Sequence, residues 1–170
     1  DLVSFGILPT LVIFLWIDAN SSTPNLKYFS FLIMVCSAVR LAKFNVNDSN
    51  QLSFNGLPTP ANAFFFISLI YYSSCYNLPF SLLGYCSFLS EALTDKILIF
   101  LIFLFSYLMI SDIQFSSLKF KNYSFRDNLE AYFLIFITFF IFFSFGYELI
   151  FLIIVPYVLV SIYRSLIIKK

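Results

Sequence analysis

Histidine is absent from this 170-residue sequence, glycine occurs four times and cysteine three times, and charged residues make up only 11%. Each scarcity excludes something. Without histidine, the commonest transition-metal ligand and the usual neutral-pH proton shuttle are both missing. Three cysteines cannot build a disulfide framework. Ten basic residues against nine acidic ones leave no excess for neutralising phosphates, which excludes a nucleic-acid binder. Gly6, Gly56, Gly84 and Gly146 do not compose a GxxxG helix-pairing motif. No repeat period is visible, and nothing resembles a cleavable signal peptide. What the sequence does have is apolar bulk: 61% hydrophobic and 22% aromatic residues, 25 of them Phe. A soluble domain averages about 45–50% apolar and about 25% charged residues. This composition excludes disorder as well, and describes a polytopic membrane protein.

Six apolar stretches follow one another, near Leu2–Ile17, Leu26–Phe44, Ala61–Tyr76, Leu93–Ile110, Leu129–Phe145 and Leu149–Ile168. A helix needs about 20 residues to cross about 30 Å of hydrocarbon. The uninterrupted runs lack the in–out alternation of a transmembrane barrel, so the expected fold is an all-α bundle of about six transmembrane helices. The first stretch is short of a span, and the chain opens on Asp1 rather than Met. We therefore expect its helix to begin upstream. The breaks are Asp18–Asn25, Asn45–Pro60, Asn77–Ala92, Ser111–Asn128 and Gly146–Glu148, punctuated by proline and small polar residues. Leu78–Leu89 is apolar enough to lie in the membrane interface.

Charge orients the bundle. Arg40, Lys43, Lys119, Lys121, Arg126, Arg164, Lys169 and Lys170 fall on one set of alternate breaks, and only Lys27 and Lys96 on the other. Eight of ten basic residues on one side mark that side as cytoplasmic. Asp1 and the Asn45–Pro60 break share it.

Two features there have chemical potential. Arg40 and Lys43, three residues apart, share a helical face. They suit a phosphate-bearing ligand, Arg through bidentate geometry and Lys as a point charge. Equally, both suit snorkelling to lipid headgroups, where they would only fix topology. Phe54-Asn55-Gly56-Leu57-Pro58-Thr59-Pro60-Ala61-Asn62-Ala63 is the most constrained break. Its prolines extend Leu57 and Thr59, Gly56 permits a sharp turn, and Pro60 suits the first turn of a helix. Such a segment preorganises a substrate site or simply starts a helix. Cys36, Cys75 and Cys86 have no ligand spacing and read as packing residues. Asp18, Glu91, Asp95 and Glu148 read as solvated caps, and Trp16 as an interfacial anchor.

Asp1-Leu2-Val3-Ser4-Phe5-Gly6, Arg40-Leu41-Ala42-Lys43-Phe44-Asn45-Val46 and Gly56-Leu57-Pro58-Thr59-Pro60, in that order, resemble the CDP-alcohol phosphatidyltransferase family. Leu108-Met109-Ile110-Ser111 and Ser117-Leu118-Lys119-Phe120-Lys121 resemble a later segment of its phosphatidylserine-forming branch. The resemblance covers residues 1–121, the C-terminal part of that membrane domain. Residues 122–170 resemble an additional pair of helices found in some members.

The resemblance implies transfer of a phosphatidyl group from CDP-diacylglycerol to L-serine, releasing CMP, in a cytoplasmic membrane with the site facing the cytoplasm. It also implies Mg²⁺ or Mn²⁺, and a homodimer. Asp1 aligns with the last aspartate of the family signature D-x2-D-G-x2-A-R-x8-G-x3-D-x3-D, implicated as metal ligand and general base. The earlier positions are not in this sequence. Lys43 stands where Arg is common, and Thr59 where Ser is common. Arg40, Lys43, Asn45, Gly56, Pro58, Thr59 and Pro60 are the candidates for recognising headgroup and serine. A carboxylate near the reacting phosphorus is an apt base for an alcohol that must lose its proton. Another acceptor alcohol, such as glycerol 3-phosphate or an inositol phosphate, fits the same frame. A transporter or non-catalytic bundle is the reading outside the enzyme class, but a transporter of charged solutes should carry ionisable groups at mid-depth, which these stretches lack.

Overall fold

The computed structural model describes residues 1–21, 23–46, 54–74, 95–115, 129–145 and 150–168. Leu78–Leu89, Cys75, Cys86, Lys119, Lys121 and Arg126 lie outside them. The described residues form six apolar helices: α1 (Leu8–Asn20), α2 (Phe31–Val46), α3 (Thr59–Ser74), α4 (Asp95–Ile110), α5 (Leu129–Phe145) and α6 (Ile154–Ile168). A π-helical turn at Val3–Ile7 leads into α1, and 3₁₀ turns at Pro24–Ser30 and Ile150–Ile153 lead into α2 and α6. Two continuous helical runs, Val3–Asn20 and Asn25–Val46, are long and apolar enough to cross a membrane, while Lys96–Ile110, Ala131–Ser144 and Phe151–Ser165 are shorter apolar helices.

The first helix continues three residues beyond the apolar stretch that ends at Ile17. Polar side chains make this possible. Asn20 Nδ2 donates to the Trp16 carbonyl at 2.9 Å, and Asp18 Oδ1 pairs with Lys27 Nζ at 2.7 Å across the connection to α2. Lys27 also lies 5.0 Å from the centre of the Phe14 ring, a cation–π distance. The described run from Val3 thus reaches 18 residues.

α1 and α2 form an antiparallel hairpin whose pairing can be followed along its length. Asp18 meets Lys27 at the connection, and Phe14 meets Tyr28 and Phe31 edge-on at 6.0 and 5.8 Å. Gly6 meets Ser37 at the opposite end, where a Cβ on Gly6 would lie 3.2 Å from the Ser37 Cβ. Small residues let two backbones approach this closely, which matters most where lipid removes the hydrophobic drive between helices.

α4 runs parallel to α2, with Phe29 5.6 Å from Phe103 and Ser37 Oγ 3.8 Å from Met109 Sδ. α3 runs against both. Its Phe65 stacks on Phe105 at 4.2 Å, and Phe66 meets the same ring edge-on at 5.5 Å. Phe151 then joins Phe65 and Tyr72 at 6.2 and 5.8 Å, anchoring the start of the α6 segment to the middle of α3. Dispersion among these rings, with pairs worth about 0.5–1.5 kcal/mol beyond area burial, sets the register of the bundle. α5 packs chiefly on the segment leading into α6 and on α6 itself, leaving Phe133, Phe136, Phe139, Phe140 and Phe143 exposed.

One feature has no counterpart in the apolar pattern. β1 (Phe54–Asn55) pairs antiparallel with β2 (Gln114–Phe115), with Phe54 opposite Phe115 and Asn55 opposite Gln114. This two-residue ladder ties the entry of α3 to the exit of α4.

Candidate functional site

The start of α1, the ends of α2 and α4, and the entry of α3 lie at one end of the bundle, here the near end. Asp1 is exposed there, at the head of the first helix, with its carbonyl accepting the Phe5 amide at 2.9 Å. The Val3–Ile7 turn abuts both α2 and α3. From Gly6 against Ser37, the antiparallel hairpin continues toward Asp1 on one strand and toward Arg40 and Lys43 on the other. Asp1 and these two cations therefore share the near end, as the alternation of charged breaks predicts.

Arg40 is half-buried, and its Nε–H is buried without a hydrogen-bond partner among the described residues. Tyr157 of α6 is the group with which it interacts electrostatically. The Tyr157 ring in turn lies 5.8 Å from that of Phe115 in β2, so the last helix reaches the same end. Lys43 has a different environment. Its Nζ donates to the Ile110 carbonyl at 3.0 Å, with the exposed Asp112 carboxylate at 3.8 Å. The last carbonyls of a helix have no partner within it, and a cation there is favoured by about 0.3–1 kcal/mol. Lys43 thus caps α4. Asn45 is exposed at the end of α2.

The entry of α3 is fixed by backbone bonds to the same helix end. Gly56 N–H donates to the Ile113 carbonyl at 2.9 Å, and Leu57 N–H to the Leu108 carbonyl at 3.0 Å. Ser111 Oγ shares the Leu108 carbonyl at 2.8 Å. Gly56 has φ +79°, where only glycine is at ease, and a Cβ would collide with the Met109 carbonyl oxygen. Leu57 is buried, Pro58 half-buried, Thr59 buried and Pro60 exposed in the first turn of α3. This entry is clamped in place, as its proline and glycine content suggests, but by partners 50 residues away.

Asn62, the fourth residue of α3, was no candidate from sequence. It is 0% exposed, and neither its Nδ2 nor its Oδ1 has a hydrogen-bond partner among the described residues. The signal was a lone amide in the otherwise apolar or small Ala61–Phe66 run. Tyr157 was missed too, since one tyrosine in a span reads as packing or anchor.

Among the described residues, no group of three or more His, Cys, Asp or Glu comes together. The divalent metal that the resemblance implies finds Asp1 here and no cluster, so these residues alone do not fit such a site.

No protein-family profile matches the chain. Curated proteins do resemble it. It is 28% identical over 116 residues to the CDP-diacylglycerol–serine O-phosphatidyltransferase of Helicobacter pylori strain 26695, covering 67% of this chain and 44% of that protein. The strain J99 protein is 29% identical over the same length. The archaetidylserine synthase of Methanothermobacter thermautotrophicus is 31% identical over 118 residues, covering 67% of this chain and 40% of the relative. The chain therefore spans less than half the length of the curated relatives it matches. It is a partial, phosphatidylserine synthase-like relative of them.

Proposed function

We propose that this partial relative of phosphatidylserine synthases forms much of the membrane core of an enzyme that transfers a phosphatidyl group from CDP-diacylglycerol to L-serine. The observation that carries the reading is convergence: the head of the first helix with Asp1, the Arg40 guanidinium and the clamped Gly56–Pro60 entry share one end of an apolar bundle. A lipid nucleotide needs that combination, with cations for its phosphates, apolar helices for its acyl chains and a carboxylate for the incoming alcohol. Serine appears in the names of both kinds of relative, whereas their lipid portions differ, which favours serine over glycerol 3-phosphate or an inositol phosphate.

In the reaction, the serine hydroxyl oxygen forms a bond to the phosphorus bearing the diacylglycerol. The bond from that phosphorus to the CMP oxygen breaks, and the hydroxyl proton passes to the Asp1 carboxylate. Arg40 holds a phosphate oxygen by charge-assisted hydrogen bonds. Thr59, at the start of α3, and Asn45, exposed at the end of α2, are the groups assigned to the serine. The clamped entry keeps these groups in place without reorganisation during the reaction.

The proposed setting is a cytoplasmic membrane of six spans, with the near end facing the cytoplasm and two copies forming a homodimer. The basic residues Arg40 and Lys43 at the near end, against Lys27 at the far end, support that orientation.

The test uses the complete gene product in membranes, given CDP-diacylglycerol and labelled serine. Serine-dependent CMP release with label in the lipid fraction is expected. Release driven equally by glycerol 3-phosphate or inositol phosphate, and not by serine, would reassign the acceptor. No release with any alcohol would refute the enzyme reading.

A further inference from the structure

A fully buried side-chain amide with neither atom paired is an unusual thing to keep in an apolar bundle. Burying a polar group without a partner costs stability that a paired group does not. Asn62 has two such atoms and no exposure. It lies between two points where α3 is tied to α4: the Leu57 amide on the Leu108 carbonyl, and the Phe66 ring beside Phe105. Ser106, on the α4 turn between those same points, is also buried, and its hydroxyl has only the Cys36 thiol of α2, a weak partner, within reach among the described residues. On α2, Ser37 reaches Met109 about one turn beyond Ser106, and Arg40, whose Nε–H is buried without a partner among the described residues, follows one turn later. Buried polar atoms with unmet or weakly met bonds among the described residues thus come from three helices, in a layer about two turns deep beneath the near end.

We propose that Asn62 is a substrate-contacting residue, its amide hydrogen-bonding the amino-acid portion of the acceptor alcohol, with the Ser106 hydroxyl beside it. This rests on the phosphatidyltransferase reading above. The chemistry is complementary in both directions. An amide NH₂ donates to a carboxylate, and an amide oxygen accepts from an ammonium. A zwitterionic amino alcohol presents both, whereas a simple polyol phosphate presents no ammonium. The layer is closed in the fold described here. The π-helical turn at Val3–Ile7 lies against both α2 and α3, the helices that carry Arg40 and Asn62. Such turns recur at functional sites, where a widened helix is easier to displace.

The prediction separates binding from architecture because the two roles move stability in opposite directions. In the complete protein, Asn62→Leu keeps the four-atom side chain branched at Cγ and removes the unpaired amide, so thermal stability without ligand should hold or rise. The KM for serine should rise roughly 10–100-fold, the loss expected when a hydrogen bond to a charged group goes. The KM for CDP-diacylglycerol should stay within about twofold of wild type, and the stabilisation that serine gives the wild-type protein should disappear. Asn62→Ala serves if leucine prevents folding, with the same serine-specific defect expected. If wild type uses serine and both variants keep its KM, the role assigned to Asn62 is wrong while the enzyme reading stands. A drop in ligand-free stability with an unchanged serine KM would make the amide structural and overturn the proposal. If wild type does not use serine at all, the assignment of serine as acceptor fails first, and this inference with it.

Discussion

Gly56→Ala tests whether the entry of α3 is clamped as described. At φ +79° an alanine lies in the left-handed region, which costs roughly 1–2 kcal/mol. The added Cβ would also collide with the Met109 carbonyl oxygen and sit 3.1 Å from both the Met109 carbonyl carbon and the Ser111 oxygen. These are backbone atoms, so no rotamer change relieves them. The entry must lift from α4, weakening the Gly56 and Leu57 amide bonds to Ile113 and Leu108, each worth about 0.5–1.5 kcal/mol. Together the destabilisation is about 2–4 kcal/mol. By the scaling for chains of this size, the melting temperature should fall by roughly 5–15 °C. Scanning fluorimetry of the purified complete protein in detergent reads this directly. Gly6→Ala is the matched control. Gly6 has no positive φ, and its nearest neighbours are Leu2 Cδ1 at 3.1 Å, the end of a flexible side chain, and Ser37 Cβ at 3.2 Å, which α2 clears by a shift of a few tenths of an ångström. Its loss should be near 1 kcal/mol. A Gly56→Ala protein melting within a degree of wild type would refute the clamp.

Asp1→Asn in the complete protein should lower kcat by about 10²–10⁴-fold, the range for removing a general base, while CDP-diacylglycerol binding weakens less. Near-normal turnover across pH 6–9 would make Asp1 structural. Arg40→Ala should chiefly raise the KM for CDP-diacylglycerol with kcat nearly unchanged, since a phosphate held equally in ground and transition states affects binding alone; steady-state kinetics with both substrates varied decides this. Lys43→Met should cost stability of about 0.3–1 kcal/mol through the lost cap on Ile110, and Lys43→Arg should restore it. A large KM effect of Lys43→Met without any change in melting would return Lys43 to the substrate.

Hydrophobic runs alone located the six helices among the described residues, because a long continuous apolar stretch satisfies its backbone best as a helix. Their ends were less legible. Apolarity stops at Ile17, yet the helix reaches Asn20, because Asn20 and the Asp18–Lys27 pair satisfy its last turn through side chains that a hydropathy pattern does not weigh. The near end was foreseeable from charge alternation and from the Gly-Pro-Thr-Pro entry. The roles within it were not. Lys43 suggested an anion site by type and spacing, but its nearest acceptor is the carbonyl of a residue 67 positions away. The β1–β2 ladder joins two residues to two others across a similar distance and leaves no local periodicity. Asn62 carried a visible anomaly, a carboxamide in an apolar helix, but only the packing around it shows that the amide has no partner among the described residues.

The widened turn at Val3–Ile7 changes how the head of the first helix must be counted. Leu8 donates its amide to the Val3 carbonyl, five residues back rather than four. Everything before that turn is rotated by about one residue's worth, roughly 100° in a 3.6-residue helix, from where a helical wheel drawn back from Ile17, Ile13 and Thr10 would place it. The azimuth of Asp1 is therefore set by one surplus residue, independently of how α1 packs. A single deletion within the turn would restore regular winding and swing the carboxylate by about a quarter turn, while the Thr10–Ile17 face kept its contacts.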